Sequence, residues 1–183
     1  WIPDHDYYKY PIMWFDEYEQ KYDKVLQYIQ NSKDTIVYSQ DRIITKSGTL
    51  SRIYWLMDKK DQSKKEAQKA LEQLHAIPDL EGDPRYHAYI GRIYAILGNS
   101  EKAVREAKMA KELYPNTKDA YASYDFDIQS AKVYAILGKH KNALDIIERL
   151  LIGPSTNTWW KMKYSSTLNK IFKEDPRFKR IIK

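Results

Sequence analysis

A chain of 183 residues with 43% hydrophobic and 31% charged residues has enough apolar material for one packed domain or one compact array of repeats, and too much for a disordered chain. No apolar run approaches the roughly 18 residues that a membrane-spanning helix needs. The lack of cysteine excludes disulfides, thiolate metal sites and cysteine nucleophiles, and leaves the compartment open. The net charge is +6, and glycine plus proline number only 13, about half the usual share, which favours few, long elements and an all-α fold.

The first residue is Trp1, so the chain is expected to be a processed form or an excised piece of something longer. Residues 1–33 form an aromatic-rich segment and a helix: Tyr18, Tyr22, Val25 and Ile29 recur with helical spacing across Phe15–Asn31, and Tyr7, Tyr8, Tyr10 and Trp14 are expected to fold over the first helix pair. Residues 34–80 are read as a helix pair, with one helix starting over Asp34–Tyr38 although Gly48 interrupts the pattern. About four extra residues are placed in its turn, around Lys59–Ser63. In residues 81–116, Asp83 caps a helix with Pro84 in its first turn. That helix runs to Leu97 and stops at Gly98. A second begins near Ser100, carries Ala103, Ala107 and Ala110 on one face, and ends before Pro115. Residues 117–155 repeat this plan, with extra length around Asn116–Asp127. Residues 156–183 are basic capping helices, in which Leu168, Ile171, Phe172, Phe178, Ile181 and Ile182 take packing positions. Their eight cations face two carboxylates, so this tail holds the whole excess charge.

An internal repeat organises these elements. Tyr94-Ala95-Ile96-Leu97-Gly98 recurs 40 residues on as Tyr134-Ala135-Ile136-Leu137-Gly138, and 40 residues earlier stand Tyr54-Trp55-Leu56-Met57-Asp58. The residues just before agree too, as Arg52-Ile53, Arg92-Ile93 and Lys132-Val133.

The spacing of Ile90, Gly91, Tyr94, Gly98, Ala103, Ala107, Ala110 and Pro115 resembles the tetratricopeptide repeat (TPR). Ala131, Tyr134, Gly138, Ala143, Ile147, Leu150 and Pro154 make a second match. Ser51, Tyr54, Ala67, Leu71, Leu74 and Pro78 make a degraded third. The resemblance implies antiparallel helix pairs stacked as one right-handed α-α superhelix, a TPR-like solenoid. Residues 50–183 further resemble the C-terminal repeat region of multidomain bacterial regulatory proteins, which implies a regulatory or protein-binding module.

Motifs for catalysis are missing. His5, His75, His87 and His140 have no shared metal-ligand spacing, and the chain has no glycine-rich phosphate loop, nucleophile elbow or calcium loop. Asp125 and Asp127 lie two apart and therefore point to different faces of a helix. His87 reads as a core or seam residue. The expectation is a non-catalytic protein with no cofactor and no metal.

The resemblance places first helices along a concave groove. There Arg52, Arg92 and Lys132 occupy equivalent positions and form an expected ladder of positive charge. Trp55, Leu56, Ile96 and Ile136 are the expected apolar contacts. The partner would be a protein or peptide with carboxylates, or another domain of the parent chain. Groove-helix asparagines, which chaperone-binding members also use, are missing, so chaperone tails are not expected. The alternative is a nucleic-acid-associated regulator whose basic tail, beside Trp159 and Trp160, touches phosphate.

Overall fold

The computed structural model describes residues 10–33, 35–38, 43–115, 120–152 and 159–182. Among these residues there are eleven helices and one antiparallel strand pair, in the order α1 (Tyr10–Tyr18), α2 (Tyr22–Asn31), β1 (Ile36–Tyr38), β2 (Ile43–Thr45), α3 (Lys46–Leu56), α4 (Lys60–His75), α5 (Pro84–Leu97), α6 (Ser100–Leu113), α7 (Ala120–Ile136), α8 (His140–Ile152), α9 (Trp159–Lys163), α10 (Ser166–Phe172) and α11 (Pro176–Ile181). The protein is thus mostly helical. Helices α3 and α4, α5 and α6, and α7 and α8 pack as hairpins, and α5 also packs on α4 and α7.

The 40-residue period is visible in the backbone itself. The amides of Asp58, Gly98 and Gly138 donate to the carbonyls of Trp55, Ala95 and Ala135, and those of Lys59, Asn99 and Lys139 donate to Tyr54, Tyr94 and Tyr134. Gly98 and Gly138 have φ of 81° and 72°, and Asp58 adopts the same left-handed conformation at 59°. Glycine is the usual residue for this helix ending, and aspartate is among the few others that tolerate it. Asp83 caps α5 by accepting from the Arg85 amide at 2.8 Å, with Pro84 at the first position, as its sequence foretold.

The hairpins close on small residues. An added Cβ on Gly91 would lie 3.3 Å from the Ala103 carbonyl and 3.4 Å from the Ala107 amide. Ser51 and Ala131 are the equivalent residues and are fully buried, as are Ala103 and Ala143 on the facing helices. Ser63, one step earlier than Ala103, is buried as well and donates to the Ser51 carbonyl at 2.8 Å. The first copy therefore keeps the plain 40-residue register. The four extra residues expected at Lys59–Ser63 are not in the turn, which spans only Met57–Lys59 before α4 begins. The chain absorbs the difference at the far end, where α4 runs on to His75.

Three further expectations change. Phe15–Asn31 is two helices, because Gln20 takes φ of 60° and the Lys21 amide turns back to the Asp16 carbonyl. Ile36–Tyr38 is a strand paired with Ile43–Thr45, with Val37 opposite Ile44; β-branched residues on both sides suit extended backbone. Gly48 lies inside α3, beneath the Tyr89 hydroxyl, where any Cβ would collide. Tyr7 and Tyr8 of the expected aromatic cap lie outside the described residues, as does Pro154 of the second repeat match.

The core is built from four clusters. One joins β2, α4, α5, α6 and α7 through Ile43, Leu74, Ile90, Ile93, Ala103 and Val133. A second joins α7 and α8 to the tail through Ile128, Ile147, Met162, Leu168, Phe172 and Phe178. A third sets α1 and α2 on α3 through Met13, Val25, Ile29, Ile53 and Leu56. A small fourth, of Ala88, Ala110 and Phe126, fills the junction of α5, α6 and α7. The expected packing residues of the tail are thus in place.

Candidate functional site

Helices α3, α5 and α7 carry Arg52, Arg92 and Lys132 at equivalent turns, and all three side chains are half-buried. The environment of each differs. Arg52 forms an ion pair through Nη1 with the Glu17 carboxylate of α1, which is itself buried. Burial opposes the charge on Arg52, but the adjacent Glu17 outweighs it and holds the guanidinium protonated more firmly than in water. Tyr22 stands beside this pair, and burial, reinforced by the Glu17 charge, pushes its phenol up from the ordinary value. Arg92 lies over the Tyr89 ring, 5.4 Å from its centroid, and has a further interaction of its own; Lys132 is likewise engaged. The expected open ladder is therefore a row of held cations, of which Arg52 is turned inward against an internal carboxylate.

The apolar residues divide in the same way. Leu56 and Ile96 are 4% and 8% exposed and belong to the third and first core clusters. They are packing residues, because their turn of each helix faces the neighbouring layer, so they are corrected from ligand contacts to core. Trp55 and Ile136 are only partly buried against the first cluster. Trp55 also carries the Lys170 ammonium 5.5 Å from its ring centroid.

Lys170 is the contact that sequence reasoning missed. It comes from α10, which packs on both α7 and α3. Its Nζ donates to the Leu56 carbonyl at 3.0 Å, at the C-terminus of α3, and to Asp58 at 2.8 Å. A cation at a helix C-terminus is favoured by the unpaired carbonyls there. A second bridge between the ends of the chain is the edge contact of Tyr18 with Tyr164, at 4.8 Å between centroids. Pairings across more than 100 residues leave no local periodicity, which is why no motif announced them.

Three further cations of the basic tail meet acids of the same chain. Lys161 pairs with Asp125 at 2.8 Å. Arg177 grips Glu148 through Nε at 2.7 Å and Nη2 at 2.6 Å, and reaches Asp145 at 2.7 Å. Hydrogen bonds from Arg177 lower the Glu148 acidity range, and those from Lys141 and Arg177 lower that of Asp145. Lys179 pairs with Glu174 at 2.7 Å. Trp160 is half exposed beside Lys161.

The titratable pairs weighed for chemistry have structural neighbours. Asp127 is buried and accepts from Lys111 at 2.9 Å and Arg149 at 3.2 Å, while Asp125 takes Lys161, so the two carboxylates do not converge. His87 sits in the α5–α6 seam, with Nδ1 2.6 Å from Glu106 and Nε2 2.8 Å from the Glu81 carbonyl. It ties α6 to the loop before α5. Among the described residues no group of three metal-ligating side chains forms, and no helix is long and apolar enough to cross a membrane. Family models, curated proteins and solved structures gave no match to the chain.

Proposed function

We propose that this chain is a non-catalytic helical-repeat module of TPR type, a superhelix of stacked hairpins that binds a carboxylate-bearing protein segment on the face lined by α3, α5 and α7. It serves as a regulatory part of a larger protein. The observation that carries the reading is the threefold register: three hairpins end in the same hydrogen-bonded turn, and each presents a cation at the same turn of its first helix. A repeat that multiplies one charged position across successive units suits an extended ligand better than a small one. Arg92 and Lys132 are the ligand cations of this reading, with Trp55 and Ile136 as apolar neighbours. Arg52 is not among them, since Glu17 already holds it.

The nucleic-acid alternative is disfavoured because Lys161, Lys170, Arg177 and Lys179, half of the eight tail cations, are paired with Asp125, Asp58, Asp145, Glu148 and Glu174. The test is fluorescence anisotropy with two labelled probes, a glutamate-rich decapeptide containing one aromatic residue and an oligothymidine. The expected result is peptide binding that weakens tenfold or more in Arg92→Glu, with a shallow salt dependence. Oligothymidine binding with a steep salt slope, unchanged in Arg92→Glu, would overturn the proposal.

A further inference from the structure

We infer that Lys170 is a displaceable ligand cation of this same face, and that Asp58 is the internal carboxylate that competes with the partner for it. The inference rests on the reading of α3, α5 and α7 as a carboxylate-binding face. It goes beyond that reading by assigning a binding role to the C-terminal helix.

The argument begins with how α10 is held. On one side Leu168 and Phe172 are buried in the second core cluster with Met162 and Phe178, which fixes α10 to the array. On the other side Lys170 reaches the end of α3, where its ammonium meets the Leu56 carbonyl, Asp58 and the Trp55 ring. The helix is thus anchored by its apolar side, while its lysine is held to the α3 end through the ammonium.

The two internal carboxylates on this face differ in how easily they yield. Glu17 is 4% exposed at its side chain and forms a pair with Arg52 that is 23% exposed, so its removal leaves a charge in a poor solvent. Asp58 is 75% exposed, and ion pairs with an exposed carboxylate contribute little to stability. A partner carboxylate can therefore replace Asp58 at Lys170 but not Glu17 at Arg52. The Lys170 ammonium stays over Trp55 meanwhile, since the ring attracts a cation whichever anion faces it. Asp58 also occupies the position that Gly98 and Gly138 fill in the other two copies. Only the first hairpin therefore carries a carboxylate at its turn.

The experiment uses the full chain and the same glutamate-rich decapeptide. Asp58→Asn keeps a residue that tolerates the left-handed turn while removing the competitor. Lys170→Met removes the charge and keeps a long unbranched side chain. Circular dichroism confirms the fold of each. The inference expects Asp58→Asn to bind about threefold or more tightly than wild type, and Lys170→Met to bind about threefold or more weakly. Binding that is abolished by Arg92→Glu yet unchanged in both Asp58→Asn and Lys170→Met would overturn the role of Lys170 and leave the groove reading standing. A failure of wild type and Asp58→Asn alike to bind the peptide would overturn both.

Discussion

Gly48→Ala tests how the N-terminal part of the molecule docks on the repeats. Gly48 is in the first turn of α3, and a Cβ there would overlap the Tyr89 hydroxyl and lie 2.8 Å from its Cζ. Tyr89 cannot retreat cheaply, because its hydroxyl accepts from the Thr45 amide at 3.1 Å and Arg92 covers its ring. Overpacking of this kind costs about 1–3 kcal/mol, and a weakened hydrogen bond to a buried amide adds about 1 kcal/mol. Alanine in a helix returns about 1 kcal/mol relative to glycine. The net expectation is a loss of about 2 kcal/mol, read by urea denaturation with circular dichroism at two protein concentrations. In a Tyr89→Leu background the obstacle is gone, and the same substitution should stabilise by about 0.5–1 kcal/mol. A coupling of about 3 kcal/mol between the two sites follows. A loss below 0.5 kcal/mol for Gly48→Ala alone, or additive effects in the double variant, would refute the close approach of α3 to α5.

Other outcomes follow from the same packing. Glu17→Ala leaves Arg52 without its partner and should lower stability by about 2–3 kcal/mol, whereas Glu17→Met with Arg52→Met should recover most of that loss; equal losses in thermal unfolding would contradict the pairing. Phe178→Ala empties a fully buried site between α8 and α10 and should cost about 3–5 kcal/mol in denaturant titration, against less than 0.5 kcal/mol for Lys173→Ala on the exposed side of the tail. Burial works to raise the Asp83 carboxyl, but hydrogen bonds from Arg85 prevail and hold it below its ordinary value of 3.8. Its folded-state acidity range lies below the unfolded one, so its contribution is present above the unfolded value and is lost as pH falls through the folded one. The stability difference between wild type and Asp83→Asn should therefore shrink between pH 5 and pH 2, and a constant difference would count against this account.

Much of the repeat could be read from local chemistry. Asp83, Pro84 and Gly98 bound α5 because a cap, a fixed φ and a left-handed glycine each act within a few residues. Ala103, Ala107 and Ala110 marked the seam because helical period alone puts them on one face. Where local signals were weak, the reading slipped. Gln20 breaks the first helix without glycine or proline. Asp58 took the role of glycine and hid the true register of α4. Ile36–Tyr38 is a three-residue strand too short to show alternation.

The candidate site was legible only in part. The cations at positions 52, 92 and 132 were visible as a repeat, but nothing within a helix tells whether a cation meets water, a ring or a carboxylate. That was decided by which elements fold over the face: α1 brings Glu17 to Arg52, and α10 brings Lys170 to Trp55 and Asp58. The excess charge of the tail was likewise plain in the sequence, whereas the pairing of Lys161, Lys170 and Arg177 with acids of α7, α8 and the α3–α4 turn was not. Composition, caps and periodicity act through neighbours along the chain, so the sequence alone determined the helical class, the α5–α6 pair with its endings, and the existence of a copy on either side. Ion pairs between residues 35 to 112 positions apart depend on distance in space. Tertiary structure therefore decided which neighbour each of the aligned cations meets.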